Sequence, residues 1–135
     1  MRIEVKFYDD VAAVHLSGKF LAGGDGPFLR QKVKELIDAG TRKLIIDFSE
    51  VPYIDSTGLG FLAGTHVTTK KAGVRMMLAS LNVHVRSVLD GVQLSQFFVI
   101  EEDEAAALAK LKEPSTGSED SGPASGRNPK AKKRA

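Results

Sequence analysis

Asp55, Ser56 and Thr57 stand in a row within VPYIDSTGLGFL (residues 51–62), after an apolar run and before a stretch studded with glycine. Side chains of these types at a strand-to-helix junction can do two things. They can accept hydrogen bonds from the first free N–H groups of the helix, or they can present a hydroxyl for chemistry. One cap oxygen suffices for a helix start, so three in succession are redundant for capping alone. Gly58, Gly60 and Gly64 fall in the first turns of the same helix, and each costs roughly 1 kcal/mol relative to Ala in a helix interior. The sum, about 3 kcal/mol, is a large fraction of a small domain's stability. Close packing on a sheet accounts for one or two of these glycines. Gly58 and Gly60 cannot both share the inward face with Leu59 and Leu62, so at least one leaves the surface beside Ser56 bare and open to another protein.

Catalytic and metal chemistries find no support in the residue pattern. IDSTG has Ile54 where the G-x-S-x-G elbow of a hydrolase needs Gly, and an aspartic protease motif would need its Gly two places after the acid. His15, His66 and His84 are scattered with no ligand spacing and read as interior or rim residues. GKFLAGGDG (residues 18–26) has the glycines of a phosphate loop but no G-K-[ST] pair after them. The expectation is therefore no catalytic residue, no metal and no cofactor. Ser56 reads as a residue acted upon.

The elements that must position Ser56 follow from the apolar pattern. IEVKFY (3–8) and VAAVHLS (11–17), separated by Asp9 and Asp10, predict a hairpin. Pro27 after Asp25 and Gly26 marks a helix start, with Leu29, Val33, Leu36 and Ile37 on one face until Gly40 closes it. KLIIDF (43–48) suits a buried strand. The helix after Ser56 is predicted to carry Leu59, Leu62, Ala63, His66 and Val67 as one stripe, with Lys70 and Lys71 in its last turn and Gly73 ending it. VRMMLA (74–79) is a strand, Asn82 caps a third helix through Leu89, FFVI (97–100) is a last strand, and EEDEAAALAKL (101–111) a last helix. The order ββαβαβαβα predicts an α/β fold with a sheet that is partly parallel and partly antiparallel. In such folds functional groups collect beyond the carboxyl ends of strands, where Asp55, Ser56 and Thr57 lie.

Size and charge bound the reading. The chain has 135 residues, 42% of them apolar, which suits one domain with its own core. It has no cysteine, which removes disulfides, thiolate zinc sites and cysteine nucleophiles. No apolar run is long enough to span a bilayer and MRIEVKFYDD lacks the apolar middle of a signal peptide, so a cytoplasmic protein is expected. Residues 1–112 carry 14 basic and 14 acidic side chains, while residues 113–135 carry five basic and three acidic ones and account for the whole net charge of +2. That segment is rich in Ser, Gly and Pro, and is expected to be a disordered tail with a solubilising basic end. Nothing marks the neutral body as a DNA-binding domain.

LIIDFSEVPYIDSTGLGFLAGTHVTTKKAGVRMML (44–78) resembles the STAS domain of bacterial anti-sigma factor antagonists. The hallmark is a strand, then hydrophobic-Asp-Ser-[Ser/Thr]-Gly-Leu-Gly opening a helix, then Lys, Gly and another strand. The resemblance runs from about residue 3 to 111 and implies a STAS-type single domain over residues 1–112. It also implies that Ser56 is phosphorylated by an anti-sigma factor that is itself a serine kinase, that a PP2C-like phosphatase reverses this, and that Asp55 lies beside the phosphoacceptor and helps position it. Unphosphorylated protein would hold the anti-sigma factor and free the sigma factor. The implied partner-binding set is Asp55, Ser56, Thr57, Gly58 and Gly60, with Phe20 and Asp25 from the loop after the second strand. That loop departs from the family's Gly-Glu-[Leu/Ile]-Asp, because Lys19 replaces the Glu and the acid is displaced to Asp25, which bears on partner choice. The competing implication is a scaffold or transporter-associated STAS module that never cycles through phosphate.

Overall fold

The computed structural model describes residues 2–19 and 25–112, with the side chain of Asp25 excluded. Phe20 and the expected tail 113–135 lie outside the described residues. Among the described residues nine elements follow in order: β1 (Arg2–Tyr8), β2 (Val11–Ser17), α1 (Asp25–Asp38), β3 (Lys43–Glu50), α2 (Ser56–Lys71), β4 (Arg75–Ala79), α3 (Val83–Gly91), β5 (Val99–Glu101) and α4 (Glu104–Lys112). The expected order ββαβαβαβα is the observed one.

The five strands form one sheet in the order β1-β2-β3-β4-β5. β1 runs antiparallel to β2 across a tight turn in which Asp9 takes φ 55°, a left-handed conformation that Asp tolerates better than most residues. The pairs β2 with β3, β3 with β4 and β4 with β5 are parallel. Because side chains alternate across a strand, the central strands feed two cores. Ala12, Val14, Leu16, Leu44, Ile46, Phe48, Met76 and Leu78 meet Leu29, Val33 and Leu36 of α1, Leu59 and Leu62 of α2, and Val85 and Leu89 of α3. Val11, Ala13, Ile45, Met77 and Ala79 face the other way and meet Ala107 and Leu111 of α4. Burial on both faces explains why KLIIDF reads as a near-continuous apolar run.

The helix ends are set by glycine where the sequence placed it. Gly40 has φ 101°, with its N–H bonded to Ile37 O at 2.9 Å and the N–H of Thr41 bonded to Leu36 O at 2.9 Å. Gly73 has φ 73°, with matching bonds from Gly73 N to Lys70 O and from Val74 N to Thr69 O. Both are Schellman stops, which require a left-handed residue and so favour glycine.

Several boundaries and faces differ from the sequence reading. α1 begins at Asp25, two residues before Pro27, which occupies the first turn where its missing N–H costs nothing. The inward face of α2 is Gly58, Leu59, Leu62, Thr65 and Thr69, whereas Val67, expected in the stripe, is 43% exposed. Thr65 and Thr69 bury cheaply because their hydroxyls donate back to Phe61 O and His66 O, each at 2.8 Å. β5 is Val99–Glu101, so Phe97 precedes it and Phe98 turns into the main core. α4 begins only at Glu104, because Glu101 completes β5 and the Asp103 carboxylate accepts from Ala106 N at 2.8 Å to cap the helix.

Candidate functional site

Ser56 is the first residue of α2 and is exposed. The chain reaches it through a loop pinned from below. Val51 and Ile54 are buried, and Asn82 Nδ2 donates to Val51 O at 3.3 Å and Pro52 O at 3.4 Å. Asn82 also caps α3 by accepting from Val85 N at 2.7 Å, so one side chain ties the Ser56 loop to the neighbouring helix.

Asp55 is the N-cap of α2. Its backbone is extended (φ −100°, ψ 177°), its Oδ1 accepts from Gly58 N at 2.7 Å, and its carbonyl accepts from Leu59 N at 2.9 Å. The cap is therefore supplied by the carboxylate. Ser56 and Thr57 are both exposed, and neither hydroxyl enters a hydrogen bond among the described residues. Gly58 is buried against the sheet side, while Gly60 is exposed and a Cβ there would meet nothing within 4 Å. The two glycines thus divide as the helical spacing requires, one inward and one bare on the outside beside Ser56.

Two further elements border this surface. α1 approaches α2 so closely at its first turn that any Cβ on Gly26 would overlap the Phe61 ring. The end of the β2–α1 segment, including the backbone of Asp25, therefore lies against the second turn of α2. On the opposite flank the Tyr53 ring stands 5.5 Å from the His84 ring, and Val83 at the start of α3 is 87% exposed. Tyr53, Val83 and His84 were not singled out from the sequence. An apolar residue directly after the Asn82 cap, with no inward helical partner, was the available signal.

The three histidines occupy three environments. His84 is exposed against Tyr53. His66 is half-buried under Phe97 and Phe98, with ring centroids 4.5 and 5.2 Å away, and desolvation together with the nearby Lys70 ammonium holds its pKa below the ordinary value. His15 engages Glu104, which no sequence spacing suggested. At Ser56 itself the arrangement offers a hydroxyl on a helix N-terminus, whose free N–H groups and dipole favour an anion. No described side chain is hydrogen-bonded to that hydroxyl.

A mixed five-stranded sheet that displays a serine at the helix following its third strand defines a recognisable class: residues 2–107 match the STAS domain family, and the chain belongs to it. Within that family, curated relatives include anti-sigma factor antagonists. The anti-sigma-B factor antagonist of Bacillus subtilis is 31% identical over 90 residues, which cover 67% of this chain and 81% of that protein. Among solved structures, an anti-sigma factor antagonist from Mycobacterium paratuberculosis is similar with TM-score 0.73 at 23% identity, covering 83% of this chain and 94% of that one. The Bacillus protein SpoIIAA is similar in its unphosphorylated form (TM-score 0.66, 16% identity, 84% and 100% covered) and in its phosphorylated form (TM-score 0.63, 18% identity, 82% and 100% covered).

Proposed function

We propose that this chain is an anti-sigma factor antagonist that works by partner switching, with Ser56 as the phosphorylated residue. The observation that carries the reading is the division of labour at the start of α2: Asp55 caps the helix and leaves the Ser56 hydroxyl exposed and unengaged. The unphosphorylated form binds an anti-sigma factor that is also a serine kinase and so releases the sigma factor. A PP2C-like phosphatase restores that form. The chain acts in the cytoplasm as a binding partner and substrate rather than as a catalyst.

Simple electrostatics supports a switch that spares the fold. A phosphate at a helix N-terminus meets free N–H groups and the positive end of the dipole, worth roughly 0.3 to 2 kcal/mol in its favour. A protein docked over the bare surface at Gly60 instead meets about two new negative charges. One unfavourable unit pair at about 4 Å with an effective dielectric near 20 costs about 4 kcal/mol, on the order of a thousandfold in affinity. The contact surface comprises Asp55, Ser56, Thr57, Gly58 and Gly60, with Phe20 and Asp25 from the β2–α1 segment and Tyr53, Val83 and His84 on the other flank.

Incubation with the cognate kinase and ATP, followed by mass spectrometry, tests the site, and capture of the kinase by wild type, Ser56→Ala and Ser56→Asp tests the switch. Label on Ser56, with capture kept by the Ala variant and lost by the Asp variant, is expected. Label on Thr57 alone, or equal capture by all three proteins, overturns the reading.

A further inference from the structure

Away from Ser56, on the α4 face of the sheet, three side chains from three elements converge. His15 near the end of β2 and Asp47 in β3 are direct neighbours in the parallel register, and Glu104 opens α4 above them. His15 Nε2 lies 2.7 and 3.1 Å from the two Glu104 carboxylate oxygens and 3.9 Å from Asp47 Oδ2. One potential ligand atom from each residue falls within 4.8 Å of the other two.

We propose that His15, Asp47 and Glu104 form a divalent cation site of the zinc class that fastens α4 to the ends of β2 and β3. Asp47 supports this most directly. It is only 5% exposed, and its Oδ1 accepts from Ser49 N at 2.7 Å, but Oδ2 receives no hydrogen bond among the described residues and faces His15. A carboxylate on a residue this far withdrawn from solvent favours a nearby counter-charge. A protonated His15 neutralises one of the two carboxylates, whereas a divalent ion bound to Nε2 neutralises both. His15 Nδ1 is enclosed without a hydrogen-bond partner. It carries a proton in the imidazolium and in the Nε2-ligated imidazole alike, so it does not decide between them.

The surroundings deepen the negative field. Reading across the sheet, Glu4 pairs with His15, His15 with Asp47, Asp47 with Ala79, and Ala79 with Glu101, which puts the side-chain positions of all five, four of them titratable, in one row on one face. Arg2 and Lys6 flank Glu4 on the same face of β1, and the exposed Arg2 guanidinium lies 3.7 Å from the Glu4 carboxylate.

The geometry and the donor set choose the ion. Tetrahedral zinc with bonds of about 2.0 to 2.2 Å separates its ligand atoms by about 3.3 to 3.5 Å. The observed 2.7 and 3.9 Å bracket that spacing, so small side-chain rotations seat an ion between the three groups with a position left for water. One imidazole and two carboxylates suit zinc, whereas magnesium prefers oxygen ligands alone in octahedral geometry.

Titration calorimetry of the full chain with Zn2+ and with Mg2+ tests the site. One Zn2+ per chain is expected, with no comparable Mg2+ binding. Glu104→Gln and His15→Gln should each weaken Zn2+ binding at least about tenfold, since even outer-sphere changes cost that much at metal sites, while a His66→Gln, His84→Gln double variant binds as wild type does. Ring-nitrogen NMR on the unmodified protein gives a readout that needs no variant: Zn2+ should shift His15 Nε2 and leave His66 and His84 unmoved. Absence of stoichiometric Zn2+ binding, retention of full affinity in the His15 and Glu104 variants, or an unmoved His15 resonance overturns the proposal.

Discussion

Asp55 Oδ1 lies 2.7 Å from the amide nitrogen of Gly58 and caps α2, which leaves the hydroxyl of the adjoining Ser56 free of structural duty. Capping and the proposed phosphate acceptor thereby fall on neighbouring residues. Substitution separates them: Asp55→Ala should destabilise the domain by about 1 kcal/mol, Asp55→Asn by less because Asn caps comparably, and Ser56→Ala by under about 0.5 kcal/mol as an exposed change. Urea denaturation of the three variants checks the ranking, and a Ser56→Ala loss as large as that of Asp55→Ala would contradict it.

Phosphate on Ser56 should leave the fold as stable as before or raise its stability by roughly 0.3 to 2 kcal/mol, because it adds negative charge at a helix N-terminus. The midpoint of thermal unfolding, compared between phosphorylated and unphosphorylated protein at low salt and again at high salt, reads this directly. The stabilisation should shrink as salt screens it; a large drop in midpoint on phosphorylation would mean that the group disturbs α2.

Two glycines near the site should respond in opposite directions to Ala. At Gly60 a Cβ meets nothing within 4 Å, so Gly60→Ala should stabilise by about 1 kcal/mol through helix propensity. At Gly26 a Cβ would overlap the Phe61 ring, so Gly26→Ala should destabilise by about 1 to 3 kcal/mol by overpacking the α1–α2 contact. Chemical denaturation of the pair is the measurement.

His66 sets a pH dependence whose sign follows from its surroundings. Burial and the Lys70 charge lower its folded pKa below the ordinary 6.5, so in the window below about pH 6.5 the unfolded chain binds more protons than the folded one. Its contribution to stability is therefore full above that value and falls as pH drops toward the lowered folded pKa. His66→Gln should lose less stability than wild type between neutral pH and mildly acidic pH in parallel melts, and identical slopes would show that His66 does not contribute.

Much of the architecture was legible because local signals agreed with one another. The strand and helix order, the Asn82 cap and the stops at Gly40 and Gly73 all came from short-range chemistry that the fold preserved. The motif DSTGLG likewise placed Ser56 at the start of a helix. The misjudged α2 stripe has a physical cause. Counting apolar residues favours Val67 over Thr65 and Thr69, but threonine hydroxyls satisfied by the helix's own carbonyls can face a core, and Val67 was left outside.

By itself, the sequence determined that a serine would stand at a helix start beside bare glycine, since periodicity, caps and helical spacing are properties of neighbouring residues. Only the tertiary structure decided which of the three oxygen side chains caps that helix, and it also brought Tyr53 to His84 and His15 to Glu104. The last two residues are 89 positions apart. No local pattern encodes such a meeting, because it depends on the register of β2 against β3 and on α4 folding back across the far face of the sheet.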